Sequence, residues 1–222
     1  MTQSILDVLL DYYPIFFKGL LGTLKYAAIA VFFGSILGAL VAIIHLSKSK
    51  ILQAIAAVYV NILRGTPLLV QMYIAYLFLP MAIPAFSVLS KEQCVIISLV
   101  INSSAYVSEI IRGGITSIDK GQSEAARSLG MSSKNTMLKI ILPQAIKNIL
   151  PSLGNEYIAM IKETSIAGTF MIYELMYTKT LLASKYLIWQ PLFIIAGIYL
   201  VVTLVLSALV KMLERRLAVS EK

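Results

Sequence analysis

The run from Leu20 to Ile44 carries no charge other than Lys25 near its start. Backbone in the hydrocarbon of a bilayer has no water to bond, and a helix satisfies its own N–H and C=O groups within one segment. Such a helix needs about 20 mainly apolar residues to cross, so this run predicts a membrane-spanning helix whose lysine snorkels to the interface. Gly34 and Gly38 within it form a GxxxG spacing, suited to close helix packing. The stretch from Ile188 to Val210 repeats the pattern with no charge at all, with Tyr186 and Trp189 as belt aromatics at one end and Lys211, Arg215 and Arg216 at the other. The composition agrees: 59% of the 222 residues are hydrophobic and 14% are charged, where a soluble domain has about 25% charged residues.

Three further spans lie between these two. The apolar region from Ile51 to Leu79 is interrupted at Arg64-Gly65-Thr66-Pro67. Thr66 is suited to cap a helix and Pro67 to occupy its first position. The pattern therefore predicts an interfacial or kinked piece up to Leu63, followed by the main part of the second span. Pro80 and Pro84 mark a loop, and Ser90-Lys91-Glu92-Gln93 is a capping box that opens the third span, about Cys94 to Arg112. A polar stretch from Gly113 to Lys147 precedes a fourth helix, about Ile149 to Phe170. The chain is expected to be a single all-α membrane domain over residues 1–222, with five transmembrane helices.

The basic residues orient it. With five spans, the loops on one side hold Lys48 and Lys50, the series from Arg112 to Lys147, and Lys211 to Lys222, twelve Lys and Arg in all; the other side holds Lys18, Lys91, Lys179 and Lys185. Cytoplasmic loops carry the excess, so the N-terminus is expected outside and the C-terminus inside. This distribution accounts for the net charge of +8 without nucleic acid, for which no zinc knuckle or aromatic-rich strand binder is present. Asp7 and Asp11 precede the first run and no basic n-region is present, so the first helix is expected to stay in the mature chain. A single cysteine, Cys94, and a single histidine, His45, allow neither an intrachain disulfide nor a Cys/His metal cluster.

The polar stretch carries the most specific signal. Gln122 to Leu129 predicts a short helix, Gly130 breaks it, and Met131 to Leu142 forms a second piece with Met137, Ile140 and Ile141 at helical spacing. The order Glu124-Ala125-Ala126, three residues, Gly130, nine residues, then Ile140-x-Leu142-Pro143 resembles the EAA loop of ABC importer permeases. Four further stretches resemble the polar amino acid branch of that family, the importers of histidine, glutamine, arginine, glutamate and cystine. They are Lys18 to Leu24, Arg64 to Gln71, Ala105 to Ile115, and Lys162-Glu163-Thr164-Ser165. The likeness covers about residues 14 to 217. It departs at Glu163, where many relatives have Asp.

The resemblance implies an importer-type ABC permease fold in a bacterial cell membrane, working by alternating access. It implies that the loop of about residues 113–147, through Glu124, Ala125, Ala126 and Gly130, forms coupling helices that dock into a groove of the ATPase subunit. It implies as partners an ATPase subunit dimer, a second permease subunit (a copy or a related chain), an extracytoplasmic amino-acid-binding protein and membrane lipid. No phosphate loop of the form GxxxxGK[ST] is present, so ATP and Mg are expected on the partner subunits, with no cofactor and no enzymatic chemistry in this chain. The segment before Leu20 is too short for a fused binding domain, so that function too is expected from another chain.

Polar residues within the spans are the second signal. In the fourth helix Ser152, Asn155, Glu156, Ala159, Lys162 and Glu163 fall at offsets of three, four and seven, and are assigned to one face. Neither Lys162 nor Glu163 has an opposite charge at a helical-neighbour position. A charge at mid-bilayer costs about 3 kcal/mol on insertion scales, so each needs another helix, water or a ligand. In the third helix Ser98, Asn102 and Glu109 share a face, flanked by Ser103 and Ser104. Asn102, Ser103, Asn155, Lys162 and Glu163 are the candidates for the substrate pathway, against a structural interhelical pair. Glu109 and Arg112, at i,i+3, read as an interfacial ion pair, and Arg64 as either a headgroup anchor or a cytoplasmic gate residue. The rival class is an ion-coupled carrier or channel acting without an ATPase, with the fourth-helix charges as an ion relay. The EAA spacing separates the two, since a channel has no need of it.

Overall fold

The computed structural model describes residues 4–183 and 189–219, with side chains described to residue 217. The expectations at Lys185, Tyr186, Ile188 and Lys222 lie outside the described residues. Within them the chain is helical, without strands. Helix α1 spans Ile5–His45, opened by a capping box in which Ser4 Oγ accepts from Asp7 N and Asp7 Oδ2 accepts from Ser4 N. It starts well before the expected Leu20. The hydropathy of the leading stretch is diluted by Asp7, Asp11 and Lys18, which are exposed, while Val8 and Phe16 are buried against Leu175, Leu182, Ile194 and Ile195. At 41 residues and ~1.5 Å per residue the helix is roughly twice the hydrocarbon thickness. It is kinked at Tyr12 (φ −122°, ψ 16°), just before Pro14, whose ring crowds the preceding turn and has no N–H to give.

Helix α2 (Lys50–Gly65) and helix α3 (Leu68–Tyr73) meet at Thr66-Pro67; α3 continues through a π turn (Ile74–Phe78) into α4 (Leu79–Ala82). The α2 axis is bent by 102° from the Leu68–Ala82 axis, so the predicted kink is an elbow. Thr66 does not cap α3 as expected. It closes α2, its hydroxyl donating to Ile62 O at 2.8 Å, because Pro67 itself takes the extended position before α3. Helix α5 (Lys91–Thr116) begins at the predicted capping box, with Gln93 N donating to Ser90 Oγ and Ser90 N to Gln93 Oε1.

Helix α6 (Lys120–Ser128) is followed by α7 (Ser133–Thr136), which runs through a π turn (Met137–Ile141) into α8 (Leu142–Glu163). The second piece of the polar stretch is thus the start of the fourth long helix. That helix does not reach Phe170 as an α-helix: Thr164–Phe170 is a 3₁₀ segment. The Thr164 and Ser165 hydroxyls donate back to Ile161 O and Lys162 O, the local competition that loosens an α-helix. Helices α9 (Thr178–Leu182) and α10 (Trp189–Val219) complete the described chain.

Contacts fix the helix directions. Tyr26 reaches Glu92 at one end, and Gly38 lies against Ser104 and Val107 further along, so α1 and α5 run parallel. Gly114 lies against Ile149 while Ser103 meets Glu156, so α8 is antiparallel to α5. Gly154 of α8 abuts Val210, and Tyr199 of α10 meets Glu174 beyond the far end of α8, so α10 turns back again. A core that includes Ala27, Ala30, Leu68, Met72, Leu99, Met160 and Ile161 forms where α1, α3, α5 and α8 meet. Among the described residues three helices, α1, α5 and α10, are long and apolar enough to cross a membrane, and α2 with Leu68–Ala82 adds a bent fourth candidate. Helix α8 carries Lys147, Glu156, Lys162 and Glu163.

At Gly38 an added Cβ would sit 2.7 Å from Ser104 O and 2.9 Å from Val107 Cβ. The α1–α5 contact therefore requires a residue without a side chain there. Gly38→Val is expected to lower stability by about 1–3 kcal/mol, the usual cost of overpacking, read as a lower melting temperature of the purified complex. An unchanged melting temperature would contradict this packing.

Candidate functional site

The elbow leaves carbonyls of the last turn of α2 without helical partners. Gln71 of α3 supplies them: its Nε2 donates to Leu63 O at 2.7 Å, Thr66 Oγ1 at 2.9 Å and Thr66 O at 3.1 Å. Its Oε1 accepts from Asn102 Nδ2 of α5 at 3.0 Å. Beside this bridge lies a cleft of about 260 Å³. Thr66, Pro67 and Leu68 line it from the elbow, Asn102 and Tyr106 from α5, and Glu156, Ala159, Met160 and Glu163 from α8. Glu156 is buried and accepts from Ser103 Oγ at 3.0 Å. The lining holds two carboxylates, seven residues apart on one stripe of α8, and no basic side chain. A low-dielectric concavity of one sign concentrates ligands of the other.

The expected pathway residues divide. Asn102 and Glu163 come together in the cleft. Ser103 is fully buried and acts on it through Glu156. Asn155 lies elsewhere, in a groove with Lys147, Asn148, Ser152 and Glu214. Lys162 is exposed and outside the cleft lining. Adjacent helical residues point about 100° apart. Asn155 and Lys162 thus form one stripe and Glu156 and Glu163 the next, so the single face assigned from the sequence is two faces.

Glu109 and Arg112 form the expected ion pair, with both nitrogen–oxygen distances at 2.8 Å. Arg64 joins it at 3.6 Å from Glu109 and stacks over Tyr106 at 5.4 Å; His45 stands 3.7 Å away. One carboxylate thereby pairs with Arg64 at the end of α2 and Arg112 of α5, with His45 at the end of α1 beside it, next to a cleft-lining ring.

Two groups escaped the sequence reading. Gln71 lay within a noted stretch but had no visible partner. Glu174 is fully buried, accepting from Met176 N at 2.7 Å, Tyr177 N at 2.6 Å and Tyr199 Oη at 3.2 Å. The turn it organises lies on Gly19 and Gly22 of α1, where Leu175 N donates to Thr23 Oγ1 at 3.0 Å. Its one signal in the sequence is an acid inside Met171-Ile172-Tyr173-Glu174-Leu175-Met176.

In the polar stretch Glu124 and Ala125 are exposed on α6 and Ala126 is buried. Gly130 has φ +83° in open space. Its N–H donates to Arg127 O at 3.0 Å and Met131 N–H to Ala126 O at 3.1 Å, the Schellman closure that favours glycine. Leu129 beside it is 85% exposed, an apolar tip on a polar protrusion.

Residues 30–219 match the family described as binding-protein-dependent transport system inner membrane component. The chain belongs to that family. It is a permease component of an ABC importer, with the all-helical importer-type permease fold. A Rickettsia felis protein named as a glutamine transport system permease is 41% identical over 219 residues, covering 96% of this chain and 99% of that one. The nopaline transport system permease protein of Agrobacterium fabrum is 38% identical over 220 residues, covering 94% and 90%. The crystal structure of an amino acid ABC transporter with histidines superposes with a TM-score of 0.88 at 44% identity, over 97% of this chain and all of that one. An inward-facing methionine ABC transporter shares the fold at 17% identity with a TM-score of 0.73, over 96% and 98%. Permeases of this family work with an ATPase and a substrate-binding protein and reside in the bacterial inner membrane.

Proposed function

We propose that this permease carries a polar amino acid into the cytoplasm through the cleft between α5, α8 and the elbow. The observation that carries the reading is the convergence there of Glu156, Glu163 and Asn102 with no cation in the lining. An amino acid brings an ammonium, which the two carboxylates meet, and Asn102 adds a neutral hydrogen bond. The substrate carboxylate faces away from the acids, and an acidic side chain would meet them unfavourably, so the cleft favours neutral or cationic amino acids. The relatives named for glutamine and nopaline transport support this class. A volume of about 260 Å³ is below the ~300–1,000 Å³ of sites for drug-sized ligands and suits one small solute.

On this reading of the cleft as the transport path, the chain crosses the membrane five times, N-terminus outside and C-terminus inside. The parallel α1 and α5, the elbow that returns between them, and the reversals at α8 and α10 support five passes. The exposed side chains of α10, such as Phe193, Leu200 and Leu204, face lipid. Glu124, Ala125, Ala126 and Gly130 present the α6 protrusion to an ATPase dimer that binds ATP and Mg. A second permease subunit, a copy or a related chain, and an external binding protein complete the machine. ATP-driven closure of the ATPases moves α6, and α8, continuous with α7, transmits that motion to the cleft as alternating access.

In the reconstituted complex, Glu163→Gln and Asn102→Ala are expected to slow uptake about tenfold or more, since hydrogen bonds to charged groups contribute about 1.5–3 kcal/mol. Assembly stays intact in both variants, and the melting temperature of Glu163→Gln stays near that of the parent. Unchanged uptake in both variants would remove these residues from the site, and lost assembly would make them a structural pair.

Gly130→Val places a β-branched residue at a left-handed backbone position, which such residues avoid. It is expected to leave the protein in the membrane but uncouple ATP hydrolysis from uptake, whereas Gly130→Asn, which tolerates this conformation, retains coupling. Normal uptake with normal stimulation by the binding protein in Gly130→Val would contradict the assignment.

A further inference from the structure

The bridge between the elbow and α5 has a fixed polarity. Leu63 O and Thr66 O are carbonyls and can only accept. The end of the Gln71 side chain that faces them, 2.7 and 3.1 Å away, is therefore its NH₂ group. The opposite assignment would set an amide oxygen against two carbonyl oxygens. Its Oε1 must then face α5, and the Asn102 group 3.0 Å from it must be the donor Nδ2. This commits the Asn102 amide: the NH₂ is held by Gln71, and Oδ1 is the atom not engaged by it. Gln71 is half-buried and absent from the cleft lining, while Thr66 and Asn102, two of its three partners, both line it.

We infer that Gln71 is a positioning residue that sets both walls of the cleft, holding the elbow carbonyls on one side and turning the Asn102 carbonyl oxygen toward the ligand on the other. The backbone of α2 dictates the orientation of Gln71, and Gln71 dictates that of Asn102. Asn102 then joins Glu156 and Glu163 of the lining as a third acceptor, an arrangement that favours a donor-rich ligand end such as an ammonium. The inference rests on the cleft being the substrate site. It adds that a side chain outside the cleft fixes its hydrogen-bonding character, and it predicts that Gln71 acts through Asn102 rather than beside it.

The test is equilibrium binding of radiolabelled glutamine and arginine to the purified complex of the permease with its ATPase subunits, together with the melting temperature. Gln71→Leu removes both hydrogen-bonding groups and is expected to raise Kd about fivefold, the usual scale of one net hydrogen bond. Gln71→Met, unbranched and similar in length, makes the same comparison if leucine disturbs assembly. The double variant with Asn102→Ala is expected to bind no more weakly than Asn102→Ala alone. Gln71→Glu, whose protonated form donates to Leu63 O and accepts from Asn102, is expected to restore Kd to within about twofold of the parent. A purely structural role would lower the melting temperature of the variants without this pattern. If Asn102→Ala weakens binding while the Gln71 variants do not, or if losses multiply in the double variant, the inference is overturned and the site stands. If Asn102→Ala leaves binding of both amino acids unchanged, the site reading falls and the inference falls with it.

Discussion

Helices α1 and α5 lie against each other in the same direction, and the rest of the molecule follows from that contact. Gly34 and Gly38 present bare backbone to Ser103, Ser104 and Val107, a small-residue interface of the kind that brings membrane helices close where lipid offers no hydrophobic drive between them. Two parallel helices in sequence force the chain between them to return across the full thickness of the layer. That return begins with α2, amphipathic and exposed on one side, and turns by 102° at Gly65-Thr66-Pro67 into the Leu68–Ala82 segment. Proline ends one helix and starts the next, and the carbonyls freed at the turn are bonded by Gln71. The elbow thus costs little in unsatisfied backbone, and it places Thr66 and Pro67 opposite the polar stripe of α8.

The same packing decides which polar groups face inward. Ser103 contacts Gly34 on one side and donates to Glu156 on the other, so one small residue serves both the helix interface and the acid of the cleft. A carboxylate removed from water needs partners that favour it, and Glu156 has the Ser103 hydroxyl. Glu163, at the end of α8 where the helix loosens into a 3₁₀ segment, lines the open part of the cleft. At the other end of the bundle, Glu109 gathers Arg112, Arg64 and His45 from three helices. The ends of α2 and α5 are thereby joined, with the end of α1 alongside, beside Tyr106, a wall of the same cleft. The cleft and the ionic cluster are separated by one aromatic ring, Tyr106, which lines the cleft and lies under Arg64.

Much of this was legible in the sequence because it rests on local rules. The capping box at Ser90, the break at Gly130 and the interruption at Pro67 are fixed by residues within a turn of one another, and the structure has each of them. The start of α1 was not legible from hydropathy, because Asp7, Asp11 and Lys18 dilute the window while Val8 and Phe16 are buried by residues far along the chain, Leu175 and Ile194 among them. The role of Glu174 depends on Tyr199 and on the turn seated against Thr23, partners that only folding brings near. The division of the α8 polar residues into two stripes turns on adjacent positions, Asn155 against Glu156 and Lys162 against Glu163. Offsets of three, four and seven leave that difference unresolved unless the stripe facing α5 is known.

On the proposed topology, parallel α1 and α5 set a five-pass path, with the α6–α7 protrusion on the cytoplasmic side and α9 outside. Single cysteines at Lys134 and Lys179, in a chain with Cys94→Ser, test it most directly when intact cells are treated with a membrane-impermeant thiol reagent. Cys94 is buried and free, so its replacement removes the background without touching either surface. Position 179 is expected to label, and position 134 only once the membrane is opened. Labelling at 134 with protection at 179, or labelling of both in intact cells, would contradict it.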